Sequence, residues 1–140
     1  VEKQIKMKKV CVLFFTITLS GCTLFDAYFM AKYDTTEYAL VNEIKTKTQI
    51  AEENCGNKLI VTSQVNDLYV KALEFKNFTM HIPRNKDAEN LSVKLLSLTK
   101  DTKEYFNKTE NISPIFCKAK LQQIEKSADT IQQVLGSKPR

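Results

Sequence analysis

Residues 113–136 read SPIFCKAKLQQIEKSADTIQQVLG, and their pattern decides the fold. Ser113-Pro114 opens the stretch as a helix start. A serine oxygen at the N-cap can accept from an amide of the first turn, and proline at the first helical position gives up an N–H that would have no partner. Cys117, Leu121, Ile124, Ala128, Ile131 and Leu135 then recur in steps of four and three. That spacing lays one apolar stripe along a helix and leaves the remaining faces polar. Gly136 closes the segment, and Ser137 to Arg140 are expected to fray.

Three more segments upstream carry the same period. In the third, Asn85 or Asp87 caps a run holding Leu91, Leu95, Leu98, Thr102 and Tyr105, followed by a polar loop over 107–112. In the second, Val61, Val65, Leu68, Ala72 and Phe75 form the stripe, widened by Tyr69 and Leu73. It stops at His81-Ile82-Pro83, because the residue before a proline is pushed out of the helical region. In the first, Asp34-Thr35-Thr36-Glu37 has the form of a capping box. Val41, Ile44, Thr48, Ala51 and Cys55 follow, and Gly56-Asn57 is expected to end the helix through a left-handed glycine.

No strand-like alternation persists anywhere. Four helices of about 20 residues joined by short loops predict an all-α, antiparallel up-down four-helix bundle over 34–136. In that topology helix 1 ends where helix 4 begins. Cys55 and Cys117 are therefore brought together if those helices are neighbours, and a disulfide is expected, with two buried free thiols as the alternative.

The chain has 140 residues and a formal charge of +5, but the excess sits at its start. Residues 22–140 hold 17 basic and 15 acidic side chains, which is no nucleic-acid footprint. There is a single histidine, His81, and no glycine-rich phosphate loop or Cys-x-x-Cys pair. Catalysis, a metal site and a cofactor are accordingly not expected. One competing reading keeps a ligand in the bundle: haem held by Met30 and His81, or a metal or lipid. Four Asn-x-Ser/Thr triplets, at Asn77, Asn90, Asn107 and Asn111, read as products of composition.

At the start of the chain, Met7-Lys8-Lys9 precedes the apolar run Val10 to Leu19 and then Ser20-Gly21-Cys22. A basic flank, a short apolar core and small residues before a cut make a secretory signal peptide, 1–21, with Met7 the expected initiator and 1–6 an over-extended start. Leu19-Ser20-Gly21-Cys22 resembles the lipobox of bacterial lipoproteins. The resemblance implies that Cys22 receives a diacylglycerol, that the chain is cut before it, and that the protein sits on the periplasmic side of a bacterial envelope. Thr23, where an aspartate would favour the inner membrane, leans toward the outer one. An uncleaved anchor and an ordinary secreted protein are the alternatives. The uncharged run from Val10 to Phe25, however, falls short of the roughly 18–20 residues that a span requires.

Residues 22–33 form the expected anchor and juxtamembrane segment, crowded with Phe25, Tyr28, Phe29 and Tyr33. Aromatic side chains suit a lipid–water interface or a protein partner at the membrane surface; equally, they suit the start of the first helix. The stretch 25–42 resembles short lipoproteins of marine bacteria and their phages, which implies no activity. The expected function is a non-catalytic interaction or structural module of the envelope, such as an assembly partner or a phage-encoded exclusion factor.

Overall fold

The computed structural model describes residues 30–140. They form an antiparallel up-and-down four-helix bundle, with no strand among the described residues. The helices are α1 (Thr35–Glu53), α2 (Lys58–Thr79), α3 (Lys86–Lys108) and α4 (Pro114–Gly136). Each packs on the next, and α4 closes the ring against α1. The compact unit reaches from Ala31 to Lys138.

Three of the four helices begin with a side-chain cap. The Asp34 carboxylate accepts from the Glu37 amide at 2.8 Å, Asn57 from Ile60 at 3.2 Å, and Ser113 from Phe116 at 3.2 Å, with Pro114 next in line. Asn85 stands at the N-cap of α3 but makes no such bond, because its side-chain oxygen accepts from Lys138 instead.

The core follows the apolar period of α1, α2 and α4. Val41, Ile44, Thr48 and Ala51 are buried on α1, and Val61, Val65, Leu68, Ala72 and Phe75 on α2. All six expected positions of α4 are buried, from Cys117 to Leu135. Each fully buried Leu, Ile or Phe of this set stabilises the fold by about 1.5–3 kcal/mol.

Helix α3 departs from its expected face. Its buried residues are Ala88, Ser92, Leu95, Thr99, Thr102 and Phe106. Leu91 and Leu98 flank the core half-buried, and Tyr105 is exposed, stacked near Phe116 with ring centres 4.7 Å apart. At 3.6 residues per turn the true face is rotated by about 60° from the leucine stripe. The hydroxyls of Ser92, Thr99 and Thr102 donate to carbonyls of their own helix, at 2.7–3.0 Å, so burying them leaves no unpaired donor.

Two helix ends also differ. Among the described residues no glycine has a positive φ; Asn54 caps α1 in its place, and the one left-handed residue is Arg84, φ 63°, after Pro83. The tail does not fray at Lys138, whose side chain is 5% exposed. An ion pair, described next, holds it down.

Candidate functional site

The two ends of the bundle carry the notable chemistry. At one end, the start of α1, the α2–α3 turn and the tail after α4 meet around Glu37, which is fully buried. One carboxylate oxygen accepts from Asn85 Nδ2 at 2.6 Å, and the other accepts from Lys138 Nζ at 2.6 Å. Lys138 also donates to Asn85 Oδ1, and Asn85 Nδ2 reaches the Thr79 carbonyl at 3.4 Å. Both charges are thus paired and hydrogen-bonded, as burial requires. With both oxygens engaged, the cluster is a brace across three segments. Sequence reasoning missed it: a glutamate at the third position of a capping box ordinarily turns back to the N-cap amide, and nothing local marks a lysine 101 residues away as its partner.

At the opposite end, Cys55 and Cys117 form a disulfide, with Cα atoms 5.7 Å apart, tying the end of α1 to the start of α4. Beside it opens a groove of about 540 Å³. The α1–α2 turn at Gly56-Asn57, the first turn of α2 with Lys58, Leu59 and Thr62, and Phe106-Asn107 at the end of α3 line it. Phe106 is buried in its floor, whereas Leu59 on the rim is 85% exposed. Ile115, at the start of α4 on the same end, is 84% exposed. Neither residue lies on an apolar stripe, so the period of the helices gives no sign of them.

A second depression, of about 250 Å³, lies over α1 and α4 and is lined by Gln49, Glu52, Glu53, Lys118 and Glu125. Burial pushes the Glu52 carboxyl above its ordinary value, opposed by a hydrogen bond from Gln122 and reinforced by nearby Glu125. Farther along the same seam, Lys45 pairs with Asp129 at 2.6 Å and holds that carboxyl below its usual range.

Of the residues singled out from sequence, the structure joins Cys55 to Cys117 and engages Tyr33. The Tyr33 ring is half-buried, 5.8 Å from that of Tyr38, with the Arg140 guanidinium 5.6 Å away. Leu19, Ser20, Gly21, Cys22, Phe25, Tyr28 and Phe29, and with them the signal peptide, lie outside the described residues. His81 is exposed, its Nδ1 2.7 Å from the Asn77 carbonyl oxygen, and Met30 is exposed as well. Among the described residues, no three His, Cys, Asp or Glu side chains gather as a metal site, and no helix is long and apolar enough to cross a membrane. Comparison with protein-family models, curated proteins and solved structures finds no match to this chain.

Proposed function

We propose that this protein is a lipid-anchored envelope lipoprotein, held on the bilayer by acylated Cys22, whose helical bundle serves as a non-catalytic interaction module. Leu19-Ser20-Gly21-Cys22 supports the anchor, and Thr23 supports the outer membrane. The observation that carries the interaction role is the pair of exposed apolar side chains, Leu59 and Ile115, at the disulfide end. They sit on a bundle whose own core is already closed, and Leu59 lines a groove at that end, so the exposed apolar surface is free to meet a partner.

The helices also separate the two tasks. Helix α1, which follows Cys22 in the sequence, starts at the Glu37 end, while Leu59 and Ile115 lie at the other, about 30 Å along helices of this length. A bundle of this kind is a spacer with a presenting face. Its test is metabolic labelling with a fatty acid in wild type and Cys22→Ser. Loss of label and accumulation of an uncut precursor are expected in the variant. Normal processing and continued labelling would remove the anchor. A photo-crosslinking residue at position 59, compared with one at position 93, tests the presenting face. Adducts at both positions alike, or at neither, would count against it.

A further inference from the structure

We propose that the tail after α4 is a two-state strap, closed over the start of the domain or released, and that its release frees the chain leading into α1. The structure holds it closed, with the strap and that leader gripping each other. Lys138 donates to Glu37 in α1, and the Arg140 guanidinium stands 5.6 Å from the Tyr33 ring. Tyr33 in turn lies 5.8 Å from Tyr38, whose ring edge is 3.9 Å from the place that a Cβ on Gly136 would take. Ala31 is 6% exposed although residues 31–34 belong to no helix, so the leader is seated on the bundle.

The residues that the strap engages make it a switch rather than a plug. Glu37 is the third residue of α1 after the Asp34 cap, and Asn85 is the N-cap of α3. At such positions the ordinary hydrogen bonds are local. A glutamate turns back to the cap amide, and an asparagine oxygen accepts from the second or third amide of its helix. Asp34 makes its half of the box, accepting from the Glu37 amide at 2.8 Å, but both Glu37 oxygens are taken by Asn85 and Lys138. The Asn85 oxygen is taken by Lys138 as well, and α3 goes without a side-chain cap. One lysine thus withholds two caps.

When Lys138 leaves, Glu37 can close the box at Asp34 and Asn85 can cap α3, so the released state recovers hydrogen bonds in place of those it loses. The closed end also carries a cost of its own. The Thr79 hydroxyl, on a fully buried residue there, has no hydrogen-bond partner among the described residues. Two arrangements that each satisfy the same polar groups make a bistable element. Release keeps Asp34 as the cap and frees residues 30–33. At about 3.5 Å per extended residue, those four add roughly 14 Å of reach to the chain before the bundle. On the reading of Cys22 as the lipid anchor, on which this consequence rests, the strap sets how far the presenting face stands from the bilayer.

The test follows the amide resonances of the full chain, isotope-labelled, in detergent micelles and far below Tm. Lys138→Ala removes the stem as well as the ammonium and so releases the strap. The Asp34 amide proton, and that of Asp87 or Ala88 in the first turn of α3, should move downfield as each gains an acceptor. Trypsin should cut after Lys32 at least tenfold faster than in wild type, before any cut inside a helix, because cleavage tracks the open population. Glu37→Ala/Lys138→Ala should lose the Asp34 shift and keep the one on α3. Arg140→Ala leaves the buried pair in place and should speed the cut after Lys32 about threefold, the worth of an exposed cation–aromatic contact.

Faster cutting without the downfield shifts would make the strap a static plug and overturn the switch. So would first cuts inside a helix. Should Lys138→Ala fail to fold, Arg140→Ala decides: faster cutting after Lys32 supports the strap, and unchanged cutting overturns it. None of these readouts involves Cys22, so the anchor stands or falls separately on fatty-acid labelling.

Discussion

Changing Lys138 to methionine should destabilise the bundle far more than the substitution of a lysine usually does. Methionine keeps most of the stem of the side chain and removes the ammonium that donates to Glu37 at 2.6 Å. Glu37 is fully buried, so its carboxylate would be left with only the Asn85 amide. Breaking a buried pair from one side costs about 3–5 kcal/mol, and the surviving hydrogen bond places this case at the lower figure. For a domain of this size, a loss of about 3 kcal/mol lowers Tm by about 12 °C.

Thermal unfolding followed by far-ultraviolet circular dichroism, with the disulfide intact, measures that fall. The double variant Glu37→Leu/Lys138→Met is the decisive companion. It removes both charges together and should return to within about 1 kcal/mol of wild type, the remainder being the side-chain amide of Asn85, whose oxygen loses Lys138 and whose nitrogen keeps only the Thr79 carbonyl. A Lys138→Met protein within about 0.5 kcal/mol of wild type, the ordinary range for a surface change, would refute the buried pair. So would single and double variants that simply add, because paired charges must couple.

Replacing Cys55 and Cys117 by alanine releases a closed loop of 62 residues and should cost about 4 kcal/mol in the chain-entropy account, read from denaturant unfolding beside a free-thiol assay of the parent. Glu52→Gln should stabilise the protein at neutral pH by up to about 0.5 kcal/mol. The sign follows from burial: the folded carboxyl titrates above its unfolded value, so its ionised form weighs against folding at neutral pH and the penalty fades as pH falls through the raised pKa. The advantage of the variant over wild type should therefore vanish in acid; an advantage that persists there has another cause. Hydrogen exchange should open α3 before the other helices. Among the described residues no side-chain hydrogen bond or ion pair crosses from α3 to α4, whereas Lys45–Asp129, Gln49–Glu125 and the disulfide join α1 to α4. Amides of α3 exchanging slowest of the four would contradict it.

The sequence by itself determined what short-range periodicity can carry. Three helices were legible with their faces, because the apolar residues of α1, α2 and α4 are also the ones that the core takes in. The Cys55–Cys117 bridge was legible as well, since an up-down order places the end of one helix beside the start of the other and leaves no other thiols in the bundle.

On α3 the same logic slipped, because side-chain size and side-chain burial part company there. Leu91 and Leu98 are larger than Ser92 and Thr99, yet hydroxyls bonded to their own helix bury at little cost, and packing turned the smaller side inward. The left-handed residue fell on Arg84 rather than on a glycine, and no nearest-neighbour preference pointed there.

Only the tertiary structure decided the ends of the bundle. Glu37, Asn85 and Lys138 each look like surface residues in their own neighbourhoods, and they become a buried brace because three chain segments converge on one spot. The groove under Leu59 arises likewise, where a turn, the start of α2 and the end of α3 leave a gap between them. A helix stripe is written within about seven residues, since the period that makes it is a property of one helix. A helix-end site is a property of how helices meet, and the residues that meet there share no period.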